Sequence, residues 1–178
     1  MIKKIAIGII FSLVFTSSAQ EWKQNNKETN VVFTIKNFGV NVDGYFNDVK
    51  ITTNFNADQL TESYLNAEIV VKSISTGIES RDNHILKKAY FDLENYKKIQ
   101  LKSIKIEKKD GQKFSLNASL TIKGITKNIV VPLEIVQNEK TVTILANFTI
   151  NRKDFKVSGG GFVLSNAVKI NVKFKGTK

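Results

Sequence analysis

Residues Phe114–Ile122 read FSLNASLTI. Phe114, Leu116, Ala118, Leu120 and Ile122 fall on one side of an extended chain, while Ser115, Asn117, Ser119 and Thr121 fall on the other. Side chains alternate between the two faces of a strand, so this stretch carries one dry and one wet face, the signature of a half-buried antiparallel strand. The pattern recurs in both directions. Upstream, Val31-Phe33-Ile35 and Val49-Ile51-Thr53-Phe55 alternate with polar neighbours, and Val42 and Phe46 belong to the same region. Downstream, Ile129-Val131-Leu133-Ile135, Val142-Ile144-Ala146-Phe148-Ile150 and Val168-Ile170-Val172-Phe174 do the same. Asp110-Gly111, between Ile106 and Phe114, is a hairpin signal, and Asn138-Glu139-Lys140 joins the next pair. The single proline, Pro132, stands at an outward position and points to an edge or a bulge there.

About eight such strands must bury one face in a sandwich or a closed barrel, and their length and unbroken apolar faces favour the barrel. The fold expected is all-β, an antiparallel eight-stranded barrel. Lysine, threonine, asparagine and serine on the other face make it a soluble barrel rather than an outer-membrane one, since lysine facing lipid is costly. One segment breaks the period. Ile78, Ile85 and Leu86 sit at helical spacing, which predicts one short α-helix over about residues 78–88, with Ser75-Thr76-Gly77 as turn and cap.

The ends and the composition narrow the class. Met1-Ile2-Lys3-Lys4, an apolar run from Ile5 to Phe15 and small residues at Ser17 and Ala19 describe a signal peptide over 1–19, cleaved after Ala19. The run is short for a membrane anchor. Residues 20–30 read as a polar leader and 31–178 as one barrel domain, exported to the periplasm or secreted. Loss of Lys3 and Lys4 takes the formal charge from +11 to +9. An exported basic protein rarely meets nucleic acid, so the charge is expected either to meet anionic head groups at a membrane surface or to form a solvated basic shell. The oligomeric state stays open, a homodimer included.

The chain has no cysteine, which excludes disulfides, thiolate metal sites and a cysteine nucleophile. With one histidine, His84, and carboxylates scattered on outward faces, no triad or metal cluster assembles, and neither cofactor nor metal is expected. Gly159-Gly160-Gly161 lacks the Lys-Ser/Thr of a phosphate loop and reads as a loop at a barrel mouth. Only two of the 27 Lys and Arg residues are arginine, Arg81 and Arg152. A guanidinium pairs with planar anions as lysine cannot. Arg81 and His84, three apart, share a helix face; either Arg81 and Asp82 tie the helix to a neighbouring loop, or Arg81 or His84 meets a ligand's polar end, and Arg152 poses the same choice.

Four pieces of sequence, in order, resemble the YceI-like family. They are FTIKNFGVNVDGYF (Phe33–Phe46), SISTGIESRDNHILKKAYFDLENYKKIQLKS (Ser73–Ser103), LTIKGITKNIVVPLEI (Leu120–Ile135) and INRKDF (Ile150–Phe155). By position the motif residues are Thr76, Gly77, Arg81, Asp82, His84, Phe91, Gly124 and Arg152. Asn37 stands where the family often has His, Lys97 where Pro is usual, and Ala118 and Lys156 where Gly is common. The resemblance implies a lipocalin-like barrel that holds a polyisoprenoid, isoprenoid quinone or fatty-acid-like lipid without catalysis. The alternation supplies the candidate lining for such a ligand, Phe33, Ile35, Val42, Phe46, Ile51, Leu116, Leu120, Phe148 and Ile170, with Arg81, His84 and Arg152 as candidate polar contacts. The alternatives are a periplasmic interaction or stress-response protein whose barrel is filled by side chains, and a lipid-acting enzyme built around His84.

Overall fold

A computed structural model describes residues 20–159 and 161–178; the signal peptide expected over 1–19 lies outside them. In chain order the strands are β1 (Lys23–Gln24), β2 (Asn30–Asn37), β3 (Val40–Phe46), β4 (Val49–Thr53), β5 (Leu65–Val70), β6 (Ile74–Ser75), β7 (Lys98–Lys108), β8 (Lys113–Ile122), β9 (Ile125–Gln137), β10 (Thr141–Asn151) and β11 (Leu164–Thr177). The helix α1 (Glu79–Ile85) lies between β6 and β7, and 3₁₀ turns occupy Val71–Ser73 and Arg152–Phe155.

All the strands join one strongly curled antiparallel sheet in the order β4-β5-β7-β8-β9-β10-β11-β2-β3-β6, with β1 added beside β11. The two ends of that path belong to the same pair of bent strands. Only Asn47 and Asp48 separate β3 from β4, and only the turn Val71–Ser73 separates β5 from β6. Asn47 N–H donates to Ser73 O at 3.0 Å and Val70 N–H to Asp48 O at 3.0 Å, carrying the ladder across both interruptions. Counted as bent strands and without the two-residue β1, the sheet has the eight strands expected.

Although both are long, β9 and β10 pair only through Leu133–Gln137 and Val142–Ala146. Residues 125–132 therefore have a partner on the β8 side alone, and Pro132 is the last of them. A residue without an N–H fits where pairing is one-sided. In β7 a register shift between Ser103 and Lys105 leaves Ile104 exposed, while Ile99, Leu101 and Ile106 stay inside. The bulge absorbs one residue and keeps the apolar face turned inward.

Two expectations change. The helix is shorter than 78–88, because Leu86 already serves as its C-cap and the chain continues in turns to Asn95. Residues 20–30 are no loose leader. Trp22 is 3% exposed in the core, its indole N–H donates to Phe55 O at 2.8 Å, and β1 pairs with β11. The packed body therefore starts at about Trp22 rather than at Val31.

Candidate functional site

The two ends of the barrel are packed differently. At one end, where β2 and β10 begin and β11 finishes, Trp22, Phe55, Phe114, Val142 and Phe174 close the interior; Phe55 and Phe114 meet edge to face at 5.1 Å. Burial falls away toward the other end. Val142, Ile144 and Ala146 of β10 are buried, but Phe148 and Ile150 are half-buried. Phe174 of β11 is buried, whereas Val172, Ile170 and Val168 are half-buried. Val31 of β2 is buried, whereas Phe33 and Ile35 are half-buried. All these residues point inward. Inward side chains that keep accessible surface border space rather than neighbours, so this half of the barrel is hollow.

The hollow is a cavity of about 230 Å³. A dry apolar cavity of about 150 Å³ already takes up benzene. Its walls come from nearly every strand and include Phe33, Ile35, Val42, Phe46, Ile51, Leu116, Leu120, Phe148 and Ile170, the nine apolar residues singled out from the alternation. Leu65, Leu133 and Phe174 form its deep part. From Ile144 to Ile150 the wall runs six residues of strand, about 20 Å at 3.4 Å per residue. Gly44 is buried beneath the Phe33 ring, where a Cβ would meet Phe33 Cζ at 2.2 Å, so the missing side chain lets the ring lie flat against β3.

The polar lining residues gather at one end: Asn37 closes β2, Thr76 follows β6, Arg81 lies on α1, Tyr90 follows the helix and Arg152 follows β10. The cavity is therefore amphipathic along its length. Arg81 and Asp82 both fold back on Thr76. Asp82 Oδ1 accepts the Thr76 N–H at 2.9 Å and the Thr76 hydroxyl at 2.5 Å. Arg81 Nε donates to Thr76 Oγ1 and Nη2 to Thr76 O, each at 2.6 Å. These bonds tie α1 to the strand before it and leave part of the guanidinium bordering the cavity.

Arg152 is held more deeply, at 4% exposure. Nε donates to Ser165 O at 2.8 Å, Nη1 to Val157 O at 2.6 Å and Gly159 O at 2.9 Å, and Nη2 to Leu164 O at 3.0 Å. It thus gathers the loop between the 3₁₀ turn and β11. Burial pushes its pKa below the usual arginine range, with Tyr90 acting in the opposite direction. Tyr90 also seats the chain at Gly159, which lies under its ring, and the Ser158 and Gly159 N–H groups donate to Ala89 O at 3.1 and 3.0 Å.

His84 is not brought to the cavity. It is exposed on α1, with its ring edge-on to Tyr90 at 5.1 Å. Among the described residues no cluster of His, Asp and Glu has the makings of a metal site. Lining residues that the alternation did not single out include Ile85, Tyr90, Phe91, Phe155 and Val157, which come from the connections capping the polar end. Their signal was apolar and aromatic residues in segments without strand period.

The pattern of the YceI-like domain matches residues 22–176. The chain belongs to this family. A UPF0312 protein of Photorhabdus laumondii is 26% identical over 147 residues, 79% of this chain and 76% of that protein. Among solved structures, Burkholderia cenocepacia BcnA superposes with a TM-score of 0.83 at 23% identity, over 87% of this chain and all of that one. A polyisoprenoid-binding domain from Saccharophagus degradans gives a TM-score of 0.66 at 15% identity, over 84% and 94%. At those identities the two structures speak for the YceI-like fold alone, and the start of the family match at residue 22 agrees with the burial of Trp22.

Proposed function

We propose that this YceI-like chain is an exported carrier that binds one long apolar amphiphile, of the polyisoprenoid, isoprenoid quinone or fatty-acid kind, in its barrel and performs no chemistry on it. The observation that carries the reading is the burial gradient along β2, β10 and β11, which leaves a cavity with apolar walls and polar groups at one end. A hydrocarbon chain in that space is removed from water at about 0.8 kcal/mol per CH₂ group, so few polar contacts are needed. The polar end, with Asn37, Thr76, Arg81 and Tyr90, suits a head group. The polyisoprenoid-binding domain of Saccharophagus degradans, with the same fold, is in keeping with such a ligand.

A filled barrel would leave Phe148, Ile150, Val168 and Ile170 buried, and they are not. An enzyme would need titratable groups converging on a bound substrate. The cavity offers two guanidiniums and a phenol, with His84 outside it. Export rests on the leader 1–19. The test is to express the chain with its leader, purify it without detergent, extract it with organic solvent and identify the extract by mass spectrometry. A chain lipid near one per protein is expected; repeated extracts without lipid would overturn the carrier reading.

A further inference from the structure

Beside the cavity's polar end, apolar side chains of two neighbouring tips point out to solvent. β2 and β3 meet in a two-residue turn, Phe38-Gly39, between the paired Asn37 and Val40. Phe38 is 75% exposed and Val40 67%. The loop before β11 adds Phe162, fully exposed, and Val163. Phe38 N–H donates to Val163 O at 2.9 Å, so the two tips form one patch. Asn37 and Leu164, next in sequence to these tips, line the cavity, whereas the four exposed residues do not.

Phe38 is also strained. Its φ is +50° and that of Gly39 is +80°, the left-handed pair of a turn that favours Asn-Gly. A bulky aromatic residue there carries a backbone penalty and exposes its ring to water at the same time. Folding gains from neither, and such a combination marks a functional position. Lys36, two residues before Phe38, and Lys153 and Lys156, on the turn whose Arg152 holds Leu164 O and Ser165 O, are exposed, as are the carboxylates of Asp43 and Asp154. Aromatic tips together with these lysines match the chemistry of an anionic bilayer surface, where the rings enter the head-group layer and the lysines meet its charge.

We infer that Phe38, Val40, Phe162 and Val163 form a docking edge that seats the polar end of the barrel on an anionic membrane, so that a lipid passes between bilayer and cavity without crossing water. This rests on the carrier reading for its purpose, but not for its test.

The test is flotation of the purified protein with vesicles of phosphatidylglycerol and phosphatidylethanolamine, and with vesicles of phosphatidylcholine alone. The wild type should float with the first and much less with the second. Phe38→Asn with Phe162→Ser should weaken flotation about tenfold or more, while Phe38→Asn alone should keep or raise thermal stability, because asparagine suits the turn. Lys36→Glu with Lys153→Glu should remove the preference for anionic vesicles. The co-purified lipid of each variant should match the wild type. Unchanged flotation of the Phe38/Phe162 variant would overturn the inference. So would wild-type dimers in light scattering that the variant abolishes without any flotation, since a second copy would then cover the patch. Flotation that depends on the tips in protein devoid of lipid would support the docking edge and contradict the carrier reading.

Discussion

Arg152 Nη1 donates to Val157 O at 2.6 Å, and the other hydrogen bonds of that guanidinium also go to main-chain carbonyls, those of Ser165, Gly159 and Leu164. A buried cation is thus surrounded by peptide dipoles. It binds the loop that caps the polar end of the cavity, and four carbonyls depend on it. Arg152→Met should cost about 3–5 kcal/mol, because it strands those acceptors. Arg152→Lys keeps the charge but not the planar fork and should recover only part. Urea unfolding measures this as a lower midpoint at similar slope.

Trp22 makes the matching closure at the packed end. As the only tryptophan it reports on that end alone. Its fluorescence should be blue-shifted, and it should stay unchanged on lipid removal, since Trp22 does not line the cavity. Trp22→Ala should cost about 3–5 kcal/mol. Trp22→Phe, which keeps the ring but loses the bond to Phe55 O, should cost less.

Lys156 has a φ of +53° as the C-cap of the 3₁₀ turn Arg152–Phe155. Lys156→Gly relieves left-handed strain of about 1–2 kcal/mol against about 0.5–1 kcal/mol for glycine's extra freedom in the unfolded chain, and should stabilise the fold by about 1 kcal/mol. A higher thermal midpoint than the wild type checks it.

Tyr64 donates its hydroxyl hydrogen to Glu21 Oε1. Burial, then that bond and the carboxylate charge, push the phenol from 10.0 up to about 12. The folded state therefore holds this proton more tightly than the unfolded chain does. The resulting stability is present in full below pH 10 and is lost as pH rises through about 12. Tyrosinate absorbance should show one of the four tyrosines titrating late, and Tyr64→Phe should remove that step together with its share of the alkaline loss of stability.

Much of this arrangement is legible in the chain. Alternation assigns the inward face of β2, β4, β8, β9, β10 and β11, though not of β7 with its bulge at Ile104, and the nine apolar residues it singles out all reach the cavity. Alternation says which way a side chain points, but not how much room it meets. The hollow appears only in the contrast between Val142 and Ile150, or between Phe174 and Val168, on one continuous apolar face. Trp22 was hidden because a single aromatic in EWKQNNKETN gives no period. His84 drew attention through scarcity, yet the rotation of a seven-residue helix decides where it points, and it turns outward while Arg81 turns in. The carbonyl cage of Arg152 depends on how the chain after the 3₁₀ turn comes back to the start of β11, which no local pattern encodes.

The central claim is that the barrel interior holds a chain lipid. Native mass spectrometry of the detergent-free protein, compared with Ala146→Phe, tests it most directly, since Ala146 lines the cavity and is the last buried residue of β10 before the half-buried Phe148. Circular dichroism establishes beforehand that the variant is folded. The account predicts a wild-type adduct that dissociates as a single lipid, and a folded variant whose adduct is lost or shortened. A bare protein mass for wild type in repeated preparations, or an adduct that Ala146→Phe leaves untouched in mass and amount, would contradict it.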